Sequence, residues 1–135
     1  MPESACHASL VSALVQWIAT TYLAGDTGGI LTDSSTSNGK PPAIGGFVPD
    51  AFVELAAQEI MIIGEAKSWR DLESRHTRDQ LGAFLQWCRL NQRGVLVLAV
   101  PWPVTRLANT IVRALQRKHD CGSVRTIILD KLGGC

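Results

Sequence analysis

The chain has 135 residues, of which 46% are hydrophobic and 19% charged, with a formal net charge of +1. That is one domain's worth of chain with enough apolar matter for a core; it excludes wholesale disorder, collagen and coiled coil. No apolar run reaches the roughly 18 residues of a membrane span. No basic segment precedes the first apolar stretch, which argues against a secretory signal. Four scattered cysteines (Cys6, Cys88, Cys121, Cys135) form no C-x-x-C pair. That is neither a zinc pattern nor a strong disulfide framework, and it fits a reduced, cytoplasmic setting. The small net charge hides a division: residues 1–65 carry −6 and residues 66–135 carry +7. The C-terminal half is therefore suited to a polyanionic partner, although solvated helix faces account for the arginines equally well.

Residues 4–23 predict an amphipathic helix, with Leu10, Leu14, Trp17 and Ile18 at helical spacing and Ser4 as N-cap. Residues 25–46 are rich in Gly, Ser, Thr and Pro and read as a long loop holding a short strand near Gly29–Thr32. Residues 47–55 and 59–67 read as two strands of a hairpin turning at Ala56–Glu59. Residues 75–91 predict a second amphipathic helix, with Leu81, Phe84, Leu85 and Cys88 inward. Gly94–Val100 is a continuous apolar run, the mark of a buried strand. Pro103–Lys118 predicts a third helix and Val124–Asp130 a last strand. A hairpin followed by β-α-β crossovers implies an α/β fold with a mixed central sheet flanked by helices.

The residues that carry chemistry are Asp50, Glu65 and Lys67. Alternation along a strand puts Glu65 and Lys67 on one face. If the hairpin turn centres between Ala57 and Gln58, Asp50 stands opposite Glu65, with Cβ atoms roughly 5 Å apart. Opposed carboxylates are unfavourable unless a positive charge lies between them. A divalent cation supplies one, and an oxygen-only ligand set suits Mg²⁺ or Mn²⁺ better than zinc. An adjacent lysine can orient an attacking water and offset charge on a phosphoryl transition state. The bland alternative is a turn aspartate and an exposed strand edge, but the charged pair ends a strongly apolar run, Ile60–Ile63.

Pro49-Asp50 followed by Glu65-Ala66-Lys67 resembles the signature of the PD-(D/E)XK nuclease superfamily, which includes restriction endonucleases, resolvases, transposon-end nucleases and VRR-type nucleases. Gly45-Gly46-Phe47-Val48 resembles the glycine-led approach to the aspartate. Arg78-Asp79-Gln80-Leu81 resembles the glutamine motif that some members carry. The resemblance covers nearly the whole chain, residues 1–135, and implies a restriction-endonuclease-like αβββαβ core with an extra C-terminal helix and strand. It implies a Mg²⁺-dependent endonuclease acting on DNA, with Asp50, Glu65 and the Ala66 carbonyl as metal ligands, Lys67 as catalytic lysine and Gln80 positioning substrate or water. A chain this small leaves little room for a separate recognition domain, which points to a homodimer or a subunit of a larger nucleoprotein complex. One departure is plain: many members carry an acid on the first helix, and residues 4–23 hold none. Asp33 is the candidate to compensate.

Secondary candidates surround this set. Arg70, Arg75, His76 and Arg78 follow it closely and are candidate phosphate contacts. Trp69 and Trp102 follow predicted strand ends; base stacking is one reading, and packing is the preferred one. Trp17 and Trp87 read as core or interface, and Leu132–Cys135 as an interface element. Ser34, Ser35 and Ser37 read as a flexible polar loop. Gly39-Lys40 lacks the P-loop glycine pattern, and no H-E-x-x-H or G-x-S-x-G occurs. The competing functional classes are a catalytically inactive nuclease-fold module that binds nucleic acid or protein, and a plain structural subunit.

Overall fold

The computed structural model describes residues 5–33, 39–91 and 93–130. The chain builds a five-stranded mixed sheet flanked by helices, the α/β class expected. Helix α1 spans Ala5–Tyr22 and strand β1 Leu31–Thr32. Strands β2 (Ala51–Leu55) and β3 (Ile60–Ala66) form the hairpin. A short helix α2 (Trp69–Leu72) and a long helix α3 (Arg75–Leu90) lead to β4, Gly94–Ala99. Helix α4 (Thr105–Lys118) leads to β5, Arg125–Leu129. The sheet order follows the chain, β1-β2-β3-β4-β5. The first three strands are antiparallel, and β3, β4 and β5 are parallel.

Both crossovers step the same way across the sheet, so their right-handedness puts α3 and α4 on one face. Two apolar layers result. Phe52, Ile63, Leu96 and Leu98 meet Leu81, Phe84 and Leu85 of α3 and Ile111, Val112 and Leu115 of α4. Ala51, Val53, Ile62, Val95 and Val97 meet Leu10, Leu14 and Ile18 of α1. A sheet covered on both faces explains why β4 is buried along its whole length. Gly64 sets how closely α1 approaches: a Cβ there would lie 3.0 Å from Leu14 Cδ2 and 3.2 Å from the Ala51 Cβ.

Several boundaries move for identifiable reasons. The strand expected over 47–55 starts at Ala51. Ile44 and Phe47 close a tight turn instead, and Pro49 has no N–H for a ladder. Gly45 in that turn has φ +60°, and a Cβ on it would stand 2.7 Å from the Ala83 Cβ of α3. The hairpin turn is a 3-10 segment, Ala56–Gln58, closed by Glu59 at φ 54°. The third helix starts at Thr105, because Trp102–Val104 forms a separate 3-10 turn after Pro101. The strand expected near 29–32 narrows to Leu31–Thr32. Ser34, Ser35, Ser37 and the tail Leu132–Cys135 lie outside the described residues.

Cys88 and Cys121 are free and buried, but Cys6 is disulfide-bonded, which departs from the reading of the cysteines as scattered thiols. Spacing along a chain does not report spacing in the fold. Among the described residues no helix is long and apolar enough to cross a membrane.

Leu14 is wholly buried where α1 meets β3. Leu14→Ala should therefore cost about 2–5 kcal/mol in chemical denaturation. A loss well under 1 kcal/mol would contradict the packing of α1 on this face.

Candidate active site

The hairpin register decides which side chains meet. Ala51 pairs with Gly64 and Phe52 with Ile63, so one step further Asp50 stands across from Glu65. Two hydrogen bonds fasten this end. The Asp50 N–H donates to Glu65 Oε1 at 3.3 Å, and the Ala66 N–H donates to Asp50 Oδ2 at 2.8 Å. Alternation with Ile63 turns Glu65 toward the α3 side of the sheet. There it is only 2% exposed. With both acids ionised, Glu65 Oε2 is buried without a hydrogen-bond partner.

A third group comes from α1. His7 Nε2 lies 3.3 Å from Asp50 Oδ2, with both side chains largely covered. Sequence reading passed over His7, yet a signal existed. His7 is three residues before Leu10 and seven before Leu14, so it continues the apolar stripe that faces the sheet. A polar residue on such a stripe wants a partner. Asp33, considered as the compensating acid, touches the site only through its backbone. Its N–H donates to the Asp50 carbonyl at 3.3 Å, while its carboxylate pairs with Lys40 at 4.0 Å.

Electrostatics separates the two acids. Burial pushes Glu65 well above the usual carboxylate range; a hydrogen bond with Asp50 and the Asp50 charge add to this, and the Lys67 charge opposes it. Burial also acts to raise Asp50, but hydrogen bonds with His7, Glu65 and the Ala66 N–H, together with the His7 charge, hold it below its ordinary value. The fold thus favours one ionised carboxylate and resists the second. A proton on Glu65 relieves the pair by letting the two carboxyls hydrogen-bond. A cation does the same and leaves both ionised.

The donor set fits a hard divalent cation. Asp50 and Glu65 offer carboxylate oxygens, one of them orphaned and buried, and Mg²⁺ is commonly held by one or two carboxylates and water. An oxygen-only pair of carboxylates suits Mg²⁺ or Mn²⁺ better than a softer metal. Lys67 follows Ala66 on the Glu65 face. It is half-buried, and its N–H is tied to the Ala99 carbonyl at 3.0 Å.

Gln80 belongs to α3, the helix covering that face. It is 7% exposed, and its Oε1 also lacks a partner. The start of α3 is fixed by Ser74, whose Oγ accepts the Thr77 N–H at 3.1 Å, and by Thr77 Oγ1, which donates to the Asp71 carbonyl at 2.7 Å. Arg70, Arg75 and Arg78 are exposed and have no side-chain partner among the described residues. His76 is not drawn to the carboxylates; it stands edge-on to Phe47, ring centroids 5.4 Å apart. Trp87 packs edge-on against Phe52 and Trp17 against Tyr22, as core residues do. The packing expected of Trp69 and Trp102 is overturned: they are 62% and 70% exposed.

No family model matches this chain, and no curated protein or solved structure does either.

The pH response of the metal-free protein follows from these shifts. Glu65 binds its proton more tightly folded than unfolded, so its contribution falls as pH rises from about 4.5 through its folded pKa. Asp50 does the reverse: its contribution is present above its ordinary value and is lost as pH falls below it. In EDTA, Glu65→Gln should be more stable than wild type by roughly 1–3 kcal/mol at mildly alkaline pH. The gap should shrink toward acid pH and close when Mg²⁺ is added, because only wild type gains. Parallel melting temperatures for the two proteins across the pH series would rule this out.

Proposed function

We propose that this protein is a metal-dependent nuclease of the PD-(D/E)XK type that hydrolyses phosphodiester bonds in DNA. The observation that carries the reading is the buried Glu65 Oε2 without a partner, set across from Asp50 and beside Lys67. A pair of carboxylates that resists double ionisation, next to an ammonium group, is the electrostatics a Mg²⁺ site and a phosphate ester both require. The restriction-endonuclease-like core is part of the proposal. Its support is the hairpin that ends in Asp50 and Glu65, the covering helix that bears Gln80, and the following parallel strand, with α4 and β5 appended.

The roles then follow from chemistry. Asp50, Glu65 and the Ala66 carbonyl would hold Mg²⁺, with Mn²⁺ as a substitute; the ion supplies Lewis-acid activation of water and charge neutralisation. Lys67 orients the attacking water and stabilises charge that develops on the phosphoryl oxygens. Asp50 is kept ionised by the Ala66 N–H and by His7. Gln80, buried on α3, positions the water or the substrate beside Glu65. Arg70, Arg75 and Arg78 meet the DNA backbone as exposed guanidinium groups. DNA is the proposed partner, and a homodimer or a subunit of a larger nucleoprotein complex the proposed working form.

One observation favours a second reading. His7 stands where the resemblance expects an acid, and it already engages Asp50 Oδ2. A nuclease-type fold kept as a binding module, without cleavage, would tolerate that exchange.

Labelled DNA substrates, single-stranded, duplex and branched, should be cut in Mg²⁺ and spared in EDTA. Lys67→Ala and Glu65→Ala should each lower the rate at least about 100-fold while melting cooperatively. Full cleavage by either purified variant would sink the nuclease reading. A wild-type protein that binds DNA without cutting any substrate would favour the module.

A further inference from the structure

The exposed tryptophans are the feature that the proposed chemistry leaves unused. Tryptophan is among the residues most worth burying, and an exposed one forfeits a large apolar contact. Trp69 and Trp102 are 62% and 70% exposed, and neither ring packs on another aromatic ring among the described residues. Their positions are related. Ala66 and Ala99 pair in register as the last residues of the parallel strands β3 and β4. Trp69 lies three residues beyond Ala66, and Trp102 three residues beyond Ala99. The two tryptophans therefore follow neighbouring strand ends, about 4.8 Å apart in the sheet, at the same offset along the chain. Both emerge at the end of the sheet that bears Glu65 and Lys67.

That end is where ligands of open parallel sheets bind. Arg70 directly follows Trp69, and Arg106 lies in the first turn of α4 beyond Trp102; both are exposed. An aromatic face beside a guanidinium is the usual equipment for an unpaired nucleotide, with the base on the ring and the phosphate on the cation. A duplex offers such rings only its edges and backbone, because its bases are already stacked.

We infer that Trp69 and Trp102 form a stacking platform for unpaired bases of single-stranded DNA beside the carboxylate pair. The inference rests on the nuclease reading for the identity of the polymer, and it narrows the substrate to DNA with an unpaired segment at the site. Each indole takes a base at the strand end that bears Lys67 and Glu65.

The test is a binding measurement that needs no catalysis. Glu65→Gln protein in EDTA is titrated against a dye-labelled oligothymidine and against a blunt duplex of the same length, read by anisotropy. The single strand should bind more tightly than the duplex. Trp69→Ala and Trp102→Ala should each weaken single-strand binding about ten- to a hundred-fold, with little change for the duplex. Trp→Phe at either position should recover most of the loss, because phenylalanine retains a stacking face. Equal binding of duplex and single strand, or unchanged binding by both alanine variants, would overturn the platform. So would light scattering that shows a wild-type dimer turned monomer by Trp69→Ala or Trp102→Ala with DNA binding intact; the indoles would then be a contact between copies. Cleavage is read separately in Mg²⁺ with wild type. If cutting is absent while tryptophan-dependent single-strand binding is present, the reaction is wrong and the platform stands.

Discussion

Two carboxyl groups face each other across the end of a hairpin, one of them almost wholly shut off from water, and most of the fold can be understood from how that is tolerated. Opposed like charges in a sheet are unfavourable, and burial makes each charge dearer still. The chain answers with backbone donors. The Asp50 N–H reaches Glu65, and the Ala66 N–H reaches Asp50, so each carboxylate is tied to the other strand. These bonds stabilise the ionised form of Asp50 far more than that of Glu65, whose second oxygen receives nothing. The asymmetry leaves Glu65 as the acid that resists ionisation, which is the strain the proposed cation would relieve.

The sheet topology creates the burial. Strand β3 has an antiparallel neighbour on one side and a parallel one on the other. The parallel step forces a crossover, and the crossover lays α3 over the Glu65 face. The same connection carries Gln80, so the helix that shuts Glu65 away also brings the second unpartnered side-chain oxygen to that face. On the opposite face, Gly64 and Ala66 are small enough for α1 to sit close, which lets the N-terminal turn of α1 carry His7 to Asp50. A bulkier residue at position 64 would lift the helix and move that imidazole.

The element order and the hairpin register were legible in the sequence because both rest on local rules. Continuous apolar runs, a period of 3.6 over Leu81–Cys88 and a short turn between two strand-like stretches leave few alternatives. The register placed Asp50 opposite Glu65, and the observed pairing of Ala51 with Gly64 continues to that position. What escaped was long-range or steric. His7 meets Asp50 across 43 positions of chain, and no spacing rule reports that distance. The late start of β2 follows from a turn at Gly45-Gly46 that fits against Ala83 of α3 only because Gly45 carries no Cβ. Composition favours burial of indoles, and only the fold shows Trp69 and Trp102 exposed beyond the strand ends.

Buried and exposed groups at this end of the sheet divide the work between them. Glu65 lies beneath α3 and Gln80 is buried on that helix, where low dielectric strengthens every charge interaction and geometry is fixed by packing. Trp69 and Arg70 stand in solvent on the short helix just beyond β3, and Arg106 is exposed in the first turn of α4. Lys67 is the hinge between the two regimes: its backbone is held by Ala99, and its charge acts on Glu65 from a half-buried position. In the proposed nuclease, a phosphate drawn to Lys67 would reach the buried pair within one residue of the end of β3. The strand that creates the carboxylate conflict thus leads directly into Lys67 and, two residues on, into the first exposed aromatic ring.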